Sequence, residues 1–391
     1  MQTIRTDVVV VGLGAMGAAI TDQLARRGVA VVGVDRFAPP HDRGSSHGET
    51  RITRQAVGEG AAYVPFVLAS HRHWRELESA CGESLFEACG AVVIAGAAGR
   101  GSHHGKQDFF ATTVATAERF AIEHRCLERD ELVARFPQFA GMHRDQHAYF
   151  EPGGGYLRPE RCIAAQLARA ERASATLLLD TKVERIDNRP GGVRVTTHKA
   201  VIEADRAVVA AGAWATDLLG APFERLLTVR RQTLHWFGLE ADARFPADSP
   251  VHIWMHGAGD ADYFYGFPPL PGERSVKVAT EQDRVATHAD QLDRQVAATE
   301  SQALFDAHLR GRLAGVSSRV VDAAACLYTV TPDQGFILDD HPSMPGVFVV
   351  SACSGHGFKH SAGIGQAVAQ RLCGAESEFD LAPFALERFD T

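Results

Sequence analysis

The chain has 391 residues, 45% hydrophobic and 23% charged, which suits a folded protein of roughly two to three domains and excludes a disordered, collagen-like or small disulfide-framed one. Lysine and arginine number 40 against 48 aspartate and glutamate, a formal charge of −8 that argues against a non-specific nucleic-acid binder. No apolar run approaches the ~20 residues of a membrane span, and the amino-terminal apolar run leads into a glycine loop instead of a cleavage site. The expectation is a cytoplasmic protein with no nucleic-acid or membrane partner. Its seven cysteines are odd in number, irregularly spaced and without a C-x-x-C pair, which fits reduced thiols and points to no metal.

Residues 6–11 form a β-branched run that reads as a buried parallel strand. Gly12-Leu13-Gly14-Ala15-Met16-Gly17 follows, and residues 18–27 read as a helix with Ile20 and Leu24 on one face and Gly28 at its end. Residues 29–34 read as a second strand, closed by Asp35. Strand, glycine loop, helix, strand and acid arrive in the order of a βαβ dinucleotide-binding unit. Gly12 permits the tight turn, Gly14 lets backbone approach a pyrophosphate, and Gly17 lets helix and strand pack closely. Unpaired N–H groups at the helix start would hold the phosphates, and Asp35 would accept from a ribose hydroxyl. FAD and NAD both use this unit, so the motif alone leaves them open.

Residues 36–60, rich in Gly, Pro, His, Arg and Ser, read as loop. Helices are expected at 63–77, where Val67, His71, Trp74 and Leu77 keep helical spacing, at 112–124, and at 159–173, where Pro159 suits a first turn. A strand region falls at 85–93, a polar break at 99–105 and an abrupt turn at 151–156. Short strands follow at 176–179, 182–187, 192–197, 201–204 and 206–211. Residues 229–280 are strand-rich and aromatic, and 287–310 read as a long helical region. A strand at 347–351 leads through Gly355-His356-Gly357-Phe358-Lys359 into a helix ending at 372. This order places a nucleotide-binding domain on 1–80, 150–220 and 325–391. A second domain, dominated by an antiparallel sheet, falls on 81–149 and 221–324, with a pocket at the junction.

Longer stretches carry a resemblance. The opening VVGLGAMG, the run PPHDRGSSHGETRITRQAVGEGAAYVPF over 39–66, YGFP over 265–268, CLYTVTPDQGFILD from Cys326, SGHGFKHSAGIG from Ser354 and the closing FDLAPFALERF are similar, in register, to the monomeric sarcosine oxidase and N-methyltryptophan oxidase family. The resemblance implies an α/β fold: a Rossmann-type FAD-binding domain with a second α+β substrate domain built on an antiparallel sheet. It implies FAD, not NAD, covalently attached through Cys326. It also implies a monomer that takes a small amino-acid substrate and dioxygen.

Site residues carry over position by position. Arg54 matches the residue that clamps the substrate carboxylate, for which a planar guanidinium is suited, and Lys359 matches its partner. Arg51 and His356 match residues beside the flavin, and Gly355 and Gly357 bound the same loop. Lys277 matches a lysine near the reactive flavin nitrogen, where a fixed cation would stabilise charge developing on dioxygen. Tyr265 and Tyr328 match aromatic pocket residues, and His47 and Thr50 help shape the arginine loop. Glu281 departs from the pattern, which has a histidine there. It either enters the pocket, favouring a substrate with an extra cationic group or raising the amine's pKa, or points to solvent. The reaction implied is oxidation of a secondary amine, as in an N-methyl amino acid, to an imine that water hydrolyses to amine and aldehyde, with release of hydrogen peroxide. A flavin oxidase or dehydrogenase of cyclic imino acids or glycated amino acids is the alternative, and a flavin-binding sensor without turnover the third reading.

Overall fold

Val8 to Val11, the last four residues of the first strand, Gln2–Val11, are all buried, and each valine contributes about 1.5–3 kcal/mol by leaving water. The structure is a computed structural model that describes residues 2–96, 103, 104, 106, 108–282 and 285–389; of the polar break expected at 99–105, residues 99–102 and 105 lie outside the described residues.

Gln2–Val11 lies between two parallel neighbours, Ala200–Val209 and Val31–Val34. Thr176–Leu178 extends this sheet beyond Val31–Val34, and Val347–Ser351 pairs in parallel with Ala200–Val209. An antiparallel meander of Val183–Arg189, Gly192–Thr197 and Ala200–Val209 closes the other side. The strands expected at 201–204 and 206–211 are thus one strand, since the parallel pairing with Gln2–Val11 runs through both stretches. Helices Ala15–Ala25, Val64–Cys81, Pro159–Arg172 and Ser361–Leu372 share one apolar core against this sheet. Gly363 and Gly365 let the last helix approach Phe66 and Ala19 closely, leaving no room for a Cβ.

A second sheet runs in the order Val316–Val330, Thr228–Leu239, Ser275–Ala279, Tyr263–Gly266, Val251–Met255, Ala91–Gly96, Gln146–Glu151, Arg125–Glu128. It is antiparallel except where Val251–Met255 pairs in parallel with Ala91–Gly96. Strand Val316–Val330 pairs with Thr228–Leu239 along its length, so the second sheet runs past residue 325. A small sheet of Arg51–Thr53, Gly155–Leu157 and Phe86–Glu87 holds the arginine segment that the sequence reads as loop.

The long helix expected at 287–310 is broken into a turn at Ala289–Gln291, a helix at Ala298–Leu304 and a π-turn at Phe305–Leu309. Arg231 explains the break. Its guanidinium donates to the carbonyls of Asp293 and Gln295, which turns that backbone away from helical pairing, and it pairs with Glu300 at the next helix start.

Candidate functional site

The glycine loop forms one end of a cavity between the two sheets, lined by Gly12, Gly14, Asp35, Ser45 and Ser46. Gly12 has φ +89°, and a Cβ there would come 2.6 Å from the carbonyl oxygen of Ala210. A Cβ on Gly17 would collide with the carbonyl of Gly12, so this glycine lets the helix close on the loop. At Gly14, by contrast, the nearest atom to a Cβ is Ser46 Oγ at 4.0 Å. Gly14 is the N-cap of Ala15–Ala25, with no side-chain cap and no acidic residue in the first turn, so the helix start is left for an anion. Asp35 accepts from the Leu13 amide at 2.7 Å and the Phe37 amide at 2.8 Å, and two carboxylate oxygens retain capacity for a hydroxyl.

The other end is ionic. Arg54 is 1% exposed, and its guanidinium lies 3.1 Å from Glu59 Oε2. Lys359 Nζ lies 3.0 Å from Glu59 Oε1 and donates to the His356 carbonyl. The two cations hold the Glu59 carboxyl well below its usual range despite burial, which by itself would raise it. Burial brings Lys359 down to about 8, with Glu59 opposing that shift. His356 Nε2 is 3.0 Å from the Gln334 carbonyl, and burial lowers this imidazole to about 3, so it is neutral. Gly355 has φ +79°, and a Cβ there would overlap Glu281 Oε1. A Cβ on Gly357 would overlap the Ala352 carbonyl. These glycines let the 354–359 loop close against the cavity.

Period-two alternation on the second sheet supplies a third wall. Val276 and Val278 enter the core with Trp254 and Phe264, while Lys277 between them lines the cavity. Lys277 is 4% exposed, not the outward-facing lysine that alternation alone would allow. It donates to the carbonyls of Gly48 and Thr50, both at 2.6 Å, and lies 4.1 Å from the Phe267 ring centroid. Burial and the neighbouring Arg51 lower its pKa well below the usual lysine value. Arg51 lines the cavity and donates to the Ser45 and Thr50 carbonyls. The hydroxyls of Tyr265 and Tyr328, both on the cavity wall, are 3.2 Å apart. Cys326, two residues from Tyr328, is fully buried behind the cavity surface, and burial raises its thiol to about 11. Cys353 lies on the surface itself.

Glu281 resolves to the pocket alternative: it lines the cavity, 3.0 Å from His104 Nδ1, and burial raises its carboxyl. His103, His104 and Glu59 also line the cavity, and the sequence assigned them nothing. Glu59 has a readable signal, a lone acid in the apolar run Ala56-Val57-Gly58-Glu59-Gly60, five residues after Arg54. The histidines sit within the polar, glycine-rich break expected at 99–105, with no periodicity to follow.

Six buried polar atoms on this lining have no hydrogen-bond partner among the described residues: Thr50 Oγ1, Arg54 Nε, His103 Nδ1, His104 Nδ1, Thr329 Oγ1 and His356 Nδ1. Buried polar atoms are nearly always satisfied. Together with an open helix start and the glycine approaches, they fit a polar cofactor and a small anionic ligand. Among the described residues no group of three or more His, Cys, Asp or Glu is arranged to hold a metal, and no helix is long and apolar enough to cross a membrane.

The profile of the FAD dependent oxidoreductase family matches residues 7–371. The monomeric sarcosine oxidase of Streptomyces avermitilis is 35% identical over 372 residues, covering 93% of this chain and 92% of that protein. The N-methyl-L-tryptophan oxidase of Salmonella heidelberg is 30% identical over 385 residues, covering 98% and 99%. Among solved structures, NikD, described as an unusual amino acid oxidase essential for nikkomycin biosynthesis, superposes with a TM-score of 0.80 at 22% identity, covering 98% of this chain and 97% of that one. With a family profile spanning nearly the whole chain, and relatives above 30% identity over more than nine-tenths of it, this chain belongs to the FAD-dependent oxidoreductases.

Proposed function

We propose that this enzyme oxidises secondary amino acids, in the first place N-methyl amino acids, to amine and aldehyde with formation of hydrogen peroxide. The observation that carries the reading is the buried Arg54–Glu59–Lys359 cluster on the cavity wall, in which Arg54 Nε has no protein acceptor. Two cations face one carboxylate, so the cluster holds one positive charge in excess and a free guanidinium donor. A substrate carboxylate satisfies both. FAD, when bound, supplies the two-electron acceptor for the C–H bond beside nitrogen.

This chain's residues do the rest. Gly12, Gly14, Gly17 and Asp35 hold the dinucleotide. Arg54 and Lys359 fix the substrate, and such positioning is a large share of catalysis. Tyr265 and Tyr328 wall off water. Lys277, clamped by two carbonyls, keeps one of its three donors for dioxygen, whose developing negative charge it stabilises. Covalent attachment through Cys326, a monomeric state and a cytoplasmic location complete the proposal. In it the FAD-binding domain is drawn from 1–80, 150–220 and 325–391, and the substrate domain from 81–149 and 221–324, with the strand Val316–Val330 of the second sheet crossing the boundary at 325.

The test is anaerobic absorbance. N-methyl amino acids added singly to the purified holoenzyme bleach the flavin band. A yellow enzyme that none of them bleaches overturns the demethylating assignment, and bleaching by cyclic imino acids or glycated amino acids in their place moves the substrate to those classes.

A further inference from the structure

His104 stands between two carboxylates. Its Nδ1 lies 3.0 Å from Glu281 Oε1, and its Nε2 lies 3.7 Å from Glu59 Oε1. A neutral imidazole has one N–H and one lone pair. With its N–H toward Glu59, its Nδ1 is left as a buried acceptor with no hydrogen-bond partner, facing the ionised Glu281 carboxylate; a proton gained by that carboxylate supplies the missing donor. Glu59 is held ionised by Arg54 and Lys359. Among the described residues, Glu281 has no ion-pair partner besides His104. Burial pushes the Glu281 carboxyl up and the His104 imidazole down to about 3, so of this pair the carboxyl is the group that takes up a proton.

We propose that Glu281, backed by His104, accepts the ammonium proton of the amino-acid substrate before its oxidation. The inference rests on the amino-acid oxidase reading above. Arg54 and Lys359 set the substrate carboxylate beside Glu59, and Glu281 stands one imidazole ring further along the same wall. Amine oxidation needs the nitrogen lone pair free. One N–H bond of the ammonium breaks and its electron pair stays on nitrogen. The proton forms an O–H bond on Glu281, which donates it to His104 Nδ1, while His104 Nε2–H faces Glu59. When product leaves, the proton returns to solvent.

The groups around Glu281 leave it as the acceptor. His103 and His356 are held neutral by burial, and Tyr265 and Tyr328 are raised by burial. The Tyr263 hydroxyl hydrogen-bonds the Glu281 carboxylate. Lys359, brought to about 8, is the neighbouring group that also titrates near neutrality, so the test controls for it.

Flavin bleaching by the best secondary amino acid is followed against pH by anaerobic stopped flow, in wild type, Glu281→Gln and Glu281→His. Thermal stabilisation by acetate, which has a carboxylate and no nitrogen, is measured in parallel. In Glu281→Gln the bleaching rate at pH 7 is expected to fall by about a hundredfold or more, and its rise with pH to move up to the range of the free ammonium. Acetate stabilisation and its pH dependence through Lys359 stay as in wild type. Glu281→His, which restores a titrating group, brings the rise back to lower pH. A Glu281→Gln enzyme with the wild-type rate and profile overturns the proposal. Should Glu281→Gln fail to retain flavin, His104→Gln is read in its place: a displaced profile supports the pair, and an unmoved one overturns it. A wild type bleached by no secondary amino acid overturns the oxidase reading and this proposal together; wild-type bleaching with an unmoved Glu281→Gln profile overturns this proposal alone.

Discussion

Glu59 carries more of the site's electrostatics than any group the sequence singled out, because it is the counter-charge for both Arg54 and Lys359 in a setting almost free of water. Glu59→Gln leaves two buried cations sharing a neutral amide. Removing one member of a buried ionic group costs about 3–5 kcal/mol. The variant should therefore melt well below wild type, and acetate should raise its melting temperature more than it raises wild type's, since the added carboxylate replaces the lost charge. Equal melting temperatures without ligand would show that Glu59 does not balance the pair. Lys359 gives a pH signature with two opposite signs. Its folded pKa, about 8, lies below the unfolded value near 10.5. Between those values the unfolded chain binds the extra proton, so this residue's contribution to stability improves as pH rises through the window. A carboxylate ligand needs the protonated lysine, so its affinity falls over the same interval, by up to about tenfold per pH unit for one proton. Lys359→Met should flatten the affinity curve, which a titration of acetate against pH would reveal.

At the scale of an element, the glycine loop and the helix Ala15–Ala25 show how one motif divides its tasks. A Cβ at Gly17 meets the Gly12 carbonyl, a protein–protein clash, whereas a Cβ at Gly14 meets open cavity. Gly17→Ala is expected to destabilise the flavin-free protein by about 1–3 kcal/mol or more, the usual range for overpacking. Gly14→Ala should leave the flavin-free melting temperature unchanged and weaken FAD retention. Calorimetry of both substitutions in a Cys326→Ser background, where the flavin is free to exchange, without and then with added FAD, separates the two roles, and a Gly14→Ala protein that binds FAD as its Cys326→Ser parent does would remove this glycine from the phosphate contact. This unit is legible in the sequence because its pattern is local: strand, loop, helix, strand and Asp35 fall within 34 residues of Gln2, and the Gly17 contact is with Gly12, even though Gly12 itself closes on the distant Ala210. The ionic cluster is not local. Glu59 and Lys359 are 300 positions apart, and what makes Glu59 functional is burial beside two cations, which no periodicity announces. Residues 287–310 show the converse. Their helical pattern is real, and a single arginine from a distant strand, capturing the carbonyls of Asp293 and Gln295, overrides it.

For the whole molecule, the cofactor's space is also the seam between the two sheets. Gly12, Asp35 and Val350 line it from one side, and Ile253, Tyr265, Lys277 and Tyr328 from the other. Whatever fills it ties the two layers together, so how FAD is held decides how stability depends on its concentration. A ligand bound only by the folded state adds about 2.7 kcal/mol at a hundredfold excess over Kd, and that gain vanishes on dilution. A covalent ligand does not dilute. Attachment through Cys326 therefore predicts a wild-type melting temperature indifferent to added FAD, and a flavin that stays with the protein pellet after acid precipitation. Cys326→Ser should release yellow flavin to the supernatant and melt at a temperature that climbs with added FAD. The structure supplies its own competitor, because Cys353 lies on the cavity surface whereas Cys326 sits just behind it with a thiol raised to about 11. A high pKa disfavours the thiolate that forms a carbon–sulfur bond, but Arg51, Lys277 and Arg294 all act to lower it. Cys353→Ser is thus the deciding variant. If it keeps its flavin in the pellet while Cys326→Ser does not, the bond belongs to Cys326. The opposite pattern transfers the bond to the surface thiol, and a wild type that surrenders its flavin to acid rules out a covalent link at either cysteine.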